Sequence, residues 1–276
     1  MAVFSVQNNV SSLRAQRHVG ATQNQLNGAL ERLSSGFRIN SAADDAAGLG
    51  VSENLRAQVR GLAVAERNAA DGFNIVQTAE GAMGEVTDIL QRMREISVQA
   101  ASDGIGNTER GYLDKEYQSL LSEIDRVSDA TKYNGVGLTD GTFKTGKSFK
   151  VGAGTAAADS ITVSIADMVA STLGLTGTNT KSVAGGNAAI TALDTAISSL
   201  NDRRAGLGAA MSNLQTAQSH ASVMRENLAA SESRIRDADI ASETSSFARS
   251  QVLMQAGVSM LAQANAQPQI ALRLLG

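Results

Sequence analysis

The chain has 276 residues, with 24 Lys and Arg against 27 Asp and Glu, no Cys, no Trp, a single Pro and 3% aromatics. That length implies one or two domains, and the lack of Cys excludes a disulfide framework, a thiolate metal site and a cysteine nucleophile. A formal charge of -3 lacks the basic footprint of a general nucleic-acid binder, and the scarcity of Pro and aromatics argues against a turn-rich β-sandwich or barrel.

The apolar fraction of 42%, much of it Ala and Leu, favours long helices. The first twenty residues carry no basic n-region and no apolar h-region, so a Sec-type signal peptide is not expected there. No stretch offers the roughly 20 predominantly apolar residues of a membrane-spanning helix. Val19, Leu26 and Leu33 then recur at intervals of seven, a spacing that predicts a helix with one apolar seam. Residues 34–50 are rich in Gly, Asn, Ser and Asp and read as a loop and helix cap. Asp44 and Asp45 are expected as first-turn carboxylates at the start of the next helix.

Leu55, Leu62, Ala69, Val76, Met83 and Leu90 form a second row of seven-residue spacing, and Leu113, Leu120 and Val127, flanked by Tyr117 and Ile124, a third. The segment 102–109 separates these two helices and supplies Ser, Asp and Asn as capping residues. From about Tyr133 to Asn187 the chain turns to Gly, Thr, Ser and Ala. Alternation at Phe149 and Val151 and at Ile161, Val163 and Ile165 predicts short strands, and the polar composition predicts an excursion to a tip or outer face.

The longest row comes last: Leu193, Leu200, Leu207, Leu214, Ala221, Leu228 and Ile235. A shift of phase leads to Ile240, Phe247, Met254 and Leu261, so the charged segment 233–239 reads as a joint. Pro268 lies where it can end or kink the final helix. The predicted fold is mainly α: a long coiled-coil-like helical rod formed by the N- and C-terminal arms, with a small β-hairpin region between them. Seams this long have little private core and call for neighbours of the same kind.

Catalytic chemistry is poorly represented. His18 and His220 sit in polar helical surroundings and read as solvated side chains, and adjacent Asp44 and Asp45 would point in different directions on a helix. The short Gly patterns at 46–50, 135–140 and 204–208 lack the rest of a phosphate loop or dinucleotide fingerprint. The sequon at Asn9 falls in a helical segment. The methionines lie on or beside the apolar rows as core filler. No cofactor, metal site or enzymatic activity is expected.

Longer motifs carry a resemblance. The segments ERLSSGFRINSAADDAAGLGVSENLRAQVRGL (31–62), RNAADGFNIVQTAEGAMGEVTDILQRMREISVQA (67–100) and EIDRVSDATKYNGVGLTDG (123–141) resemble the N-terminal signature of bacterial flagellin. SRIRDADIASET (233–244) and QAGVSMLAQANAQPQIALRLLG (255–276) resemble its C-terminus. The likeness implies a short family member without large outer domains. Residues 1–41 and 234–276 would form a terminal helical inner core. Residues 42–233 would form a helical rod containing a Gly/Thr-rich β excursion at about 133–188.

The implied function is a structural subunit that polymerises into the helical flagellar filament of bacterial swimming. The alternatives are a hook–filament junction protein, another exported coiled-coil assembly protein or an intracellular scaffold. The implied location is extracellular, reached without a Sec signal, and a chain without Cys and nearly without Pro suits threading through a channel. The implied partners are further copies of itself, an export chaperone and a cap protein, with no nucleic acid and no membrane.

Subunit packing is then expected at Val19, Leu26, Leu33, Ile240, Phe247, Met254 and Leu261. By the same resemblance, Arg92 and Ile96, with Glu116 on the following helix, match a face read by an animal Toll-like innate receptor. Family members usually carry Leu where Ile96 stands. Segment 31–52 resembles one read by a plant receptor kinase and departs from it at Ala43 and Gly50.

Overall fold

The computed structural model describes residues 8–275, with side chains described as far as Gln267. Its helices are α1 (Val10–Ser35), α2 (Ala46–Ala100), α3 (Asn107–Ala130), α4 (Val183–Arg236) and α5 (Ile240–Leu275). Four short strands lie between α3 and α4: β1 (Lys132–Tyr133), β2 (Val136–Gly137), β3 (Lys147–Lys150) and β4 (Ser160–Val163). The chain divides into two compact units, one of residues 1–57 and 227–276, the other of residues 58–226, so the boundaries fall inside α2 and α4.

In the first unit α1 packs against α5. The most buried positions of α1 are Ser12, Ala15, Val19, Thr22, Leu26, Ala29 and Leu33, and those of α5 are Glu243, Phe247, Ser250, Met254, Gly257, Leu261 and Ala264. Both series alternate steps of three and four, the signature of a coiled-coil seam. The helices run antiparallel: the Asn9 side chain donates to the Ala264 carbonyl at 2.8 Å, and Arg32 pairs with Glu243 at 2.7 Å. Between these ends, a Cβ added to Gly257 would meet the Val19 side chain at 2.9 Å. The helix backbones therefore come close at that point.

The joint predicted at 233–239 is real, and it is held by the loop after α1. Gly36, with φ of 76°, ends α1 in the left-handed conformation that glycine adopts most readily. The Arg38 amide donates to the Arg236 carbonyl at 2.6 Å and the Ala238 amide to the Gly36 carbonyl at 2.9 Å. The Arg236 guanidinium lies 4.7 Å from the centre of the Phe37 ring and also pairs with Glu53. Asp239 caps α5 by accepting from the Ala241 amide at 2.9 Å. Helix α5 continues through Pro268 as far as Leu275.

The two aspartates before α2 divide their labour differently from the expectation. Asp45 alone caps the helix, accepting from the Gly48 amide at 2.8 Å. Asp44 belongs to the preceding turn. It accepts from the Ser41 amide and hydroxyl and from the Asn40 amide, and these donors hold its carboxyl below the usual range.

In the second unit the α2 seam runs Leu62, Ala65, Ala69, Gly72, Val76, Ala79, Met83, Val86, Leu90 and Met93, all buried. It faces an antiparallel α4 seam of Gly186, Ala189, Leu193, Ala196, Leu200, Leu207, Leu214 and Ala221. Ion pairs Glu80–Arg204 at 2.6 Å and Arg94–Asp194 at 2.7 Å keep one register. Gly186 sits where a Cβ would be 3.0 Å from the Ala101 amide nitrogen, so a small residue permits backbone contact. Helix α3 folds back on α2 through the buried Arg110, which donates to the carbonyls of Ala100 and Ser102.

The middle segment departs from the expected excursion. Its strands form two antiparallel hairpins, β1 with β2 and β3 with β4. Yet Leu138, Phe143, Val163, Ile165, Met168, Leu173 and Leu175 are buried with the helices in one core. Polar locks fix it in place. Ser128 and Thr139 exchange hydroxyl-to-carbonyl bonds at 2.7 and 3.0 Å, Asp125 accepts from the Ala170 amide and Asp114 from the Thr180 amide. Dispersed Leu and Met side chains supply that apolar contact without any periodic signal.

Replacing the fully buried Leu200 by Ala should cost about 2–5 kcal/mol in urea unfolding, whereas Leu13→Ala, at a site 57% exposed, should change stability by less than about 0.5 kcal/mol. Asp44 should titrate below an unstructured aspartate. Its lowered value stabilises the turn above the unfolded-state pKa and ceases to as pH falls through the folded-state pKa. The protection of the Asn40 and Ser41 amides, taken relative to intrinsic exchange at each pH, should therefore fall in acid, and Asp44→Asn should show that loss of protection already at neutral pH.

Candidate assembly and recognition surfaces

Two surfaces deserve comparison with the sequence expectations: the outer faces of the α1–α5 pair, and the Arg92 region of the second unit. Among the described residues no group of His, Asp and Glu could hold a metal ion, and no helix is long and apolar enough to cross a membrane. His18 and His220 are both exposed. A groove of about 850 Å³ is lined by Leu62, Val151, Ala217, His220 and Met224. The nearby Asp159 carboxylate is engaged with the Ala156 amide, so the groove shows no converging acid and base.

Val19, Leu26, Leu33, Phe247, Met254 and Leu261 lie on the seam between α1 and α5, each half-buried within the chain. Within the chain that stripe is shared with an antiparallel helix, and each of these side chains keeps part of its surface exposed. Ile240 alone of the seven points outward, 51% exposed, because it is the first residue of α5.

A different set of apolar residues is left in water. On α1 these are Val10, Leu13 and Leu30, and on α5 Val252, Leu253, Val258 and Met260, between 47% and 66% exposed. At 100° per residue, Val252, Leu253, Ala256 and Met260 form a stripe turned away from the seam, while Val258 lies on the opposite flank. A helix with a second apolar stripe outside its seam has more apolar surface than one partner helix hides. The signal was present between the row positions, where reading only every seventh residue passes over it.

In the second unit Arg92 and Glu116 do come together. The Arg92 guanidinium donates to the Glu116 carboxylate at 2.8 and 3.1 Å and to Glu95 at 2.9 Å. These acceptors, Glu116 first, hold Arg92 above its ordinary pKa. The cluster is solvent-exposed, so it offers a charged, hydrogen-bonding surface rather than a stabilising pair. Ile96 does not share it. At 1% exposure it belongs to the core, because this stretch of α2 buries Met93, Ile96, Ser97 and Ala100 against more than one neighbour. The predicted three-residue face is thus corrected to a two-residue charged surface above a buried Ile96. Within the segment 31–52, Ala43, Asp44 and Gly50 are exposed and Ile39 is buried.

A family model described as the bacterial flagellin N-terminal helical region matches residues 6–144, and one described as the bacterial flagellin C-terminal helical region matches residues 190–275. A flagellin of Halalkalibacterium halodurans is 41% identical over 98% of this chain and 99% of its own. A flagellar filament 30.7 kDa core protein of Treponema maltophilum is 39% identical, again over 98% and 99%. The crystal structure of Bacillus cereus flagellin, 33% identical, superposes with a TM-score of 0.50 over 56% of this chain and 88% of that one.

Ile96→Ala should destabilise the protein by about 2–5 kcal/mol in chemical denaturation. Arg92→Ala and Glu116→Ala should leave the unfolding midpoint unchanged, since both side chains are hydrated in the folded unit.

Proposed function

Because the chain belongs to the bacterial flagellin family, we propose that it is the repeating subunit of the helical flagellar filament of bacterial swimming. The observation that carries this reading is α5. Among the described residues α5 packs along α1, and Val252, Leu253, Val258 and Met260 are left exposed outside that seam. A two-helix pair hides one stripe per helix, and the rest of this apolar surface calls for neighbours. Heterologous contacts between identical chains that do not close into a ring generate a helical polymer.

In this reading residues 1–41 and 234–276 form the inner core of the filament and residues 42–233 the surrounding rod. The protein works outside the cell and arrives there without a Sec signal, aided by an export chaperone and a cap protein. The family is structural. The Arg92–Glu116 surface is a site for a Toll-like innate receptor, with Ile96 supporting it from beneath rather than touching the receptor. Residues 31–52 present a segment to a plant receptor kinase.

Seeded growth tests the reading. Purified subunits added to short filament seeds should give long tubular filaments by negative-stain microscopy, and stable short oligomers would instead indicate a junction or scaffold protein. Leu253→Asp should leave the folded second unit intact by circular dichroism and abolish elongation. For the receptor surface, monomeric Arg92→Ala and Glu116→Ala proteins should signal more weakly than the parent in cells carrying the receptor.

A further inference from the structure

The described methionines range from fully buried to largely exposed, with Met211 half-buried and Met224 42% exposed. Met83, Met93 and Met168 are fully buried, while Met260 is 66% exposed, the most exposed of the large apolar side chains described. Met254, six residues earlier, is half-buried in the seam against α1. Met260 shares its outward stripe with Val252 and Leu253, 64% and 49% exposed, and with Ala256 one turn away. An exposed thioether on an outward apolar stripe joins two properties. It is open to oxidants in the free subunit, and it occupies surface that a polymer would cover.

We infer that Met260 is a site of oxidation by peroxides, and that its sulfoxide blocks addition of the subunit to the polymer. The inference rests on the filament reading for its consequence but not for its chemistry. A lone pair of the thioether sulfur attacks one peroxide oxygen and the O–O bond breaks. That oxygen stays on sulfur as the sulfoxide and the other leaves as water. Sulfur is oxidised by two electrons and the peroxide is reduced. The product is polar and accepts hydrogen bonds.

The effect is asymmetric. In the free subunit the sulfoxide stays hydrated and α5 is not disturbed. Covering the stripe strips that hydration from a strong acceptor among Val, Leu and Ala side chains that donate nothing in return. Methionine sulfoxide is reversible by reductases that act on its two epimers, so subunits oxidised before assembly are recoverable. Once Met260 is covered in the polymer, oxidant no longer reaches it.

The test uses the full chain, free and polymerised, exposed to hydrogen peroxide and mapped by peptide mass spectrometry. In the free subunit Met260 should gain oxygen at least about tenfold faster than Met83, Met93 and Met168, as access dictates, and in the polymer this difference should disappear. Oxidised subunits should need at least about tenfold higher concentration to elongate seeds, with growth restored by the reductase pair. Met260→Leu should elongate seeds before and after peroxide, and Met260→Gln should fail without it while its circular dichroism matches the parent. Equal oxidation of Met260 and the buried methionines, or equal inactivation of Met260→Leu and parent by peroxide, would overturn the inference. Untreated parent that never elongates seeds would instead overturn the filament reading, with the mapping still reporting on the site itself.

Discussion

One constraint organises the first unit: the α1–α5 seam hides a single stripe of each helix. Two helices meeting along a seam of alternating three- and four-residue steps hide one stripe each, and apolar side chains such as Leu13, Val252 and Met260 stay exposed outside it. The seam itself is lean. It includes Ser12, Thr22, Ser250 and Gly257 beside Leu and Met, so close backbone approach replaces bulky side chains. Polar devices at its ends set the register: Arg32 with Glu243, Asn9 with the Ala264 carbonyl, and the backbone clasp between Gly36–Arg38 and Arg236–Ala238. An element of this kind is specified in alignment but unfinished in burial, and that combination suits a protein completed by its neighbours.

The second unit solves the same problem internally. Its seam residues are fully buried because α3 and the middle segment lie against α2 and α4 as well as the two helices against each other. The short aliphatic side chains at Ala69, Ala79, Ala189 and Ala196 admit close helix packing, and the middle segment fills what they leave. This is why a chain with few aromatics still builds a dry core. Tyr117 is its one fully buried phenol. The hydroxyl bonds to Thr178 at 2.7 Å, and burial pushes its pKa up.

Much of this was legible in the sequence, and the reasons for the remainder are physical. Seven-residue rows located every helix, and the phase change at 235–240 located the joint, because the pattern of a seam is written in the spacing itself. The role of Ile96 was not legible. Four-residue spacing from Arg92 puts it on the same side of an isolated helix, but α2 is packed from more than one direction near its C-terminal end, which widens the buried arc to include it. The core contribution of Leu138, Met168 and Leu175 was hidden because irregular backbone buries side chains without a period. The outward stripe at Val252, Leu253 and Met260 was hidden for the opposite reason: a strong row at Phe247, Met254 and Leu261 drew the eye from the residues between.

The pairing of α1 with α5 also sets an order of events in folding. The hairpin of α2 and α3 closes over short separations, as the 24 residues between Arg92 and Glu116 show. The first and last helices meet across 211 residues at Arg32–Glu243 and 255 at Asn9–Ala264. Closing 211 residues rather than 24 adds only about 2 kcal/mol of chain entropy, but that cost falls on a helix of 26 residues that gains little from its own hydrogen bonds before it finds a partner. The second unit can therefore settle while both ends of the chain are still free. The N-terminal helix, made first, is among the last parts to acquire its place.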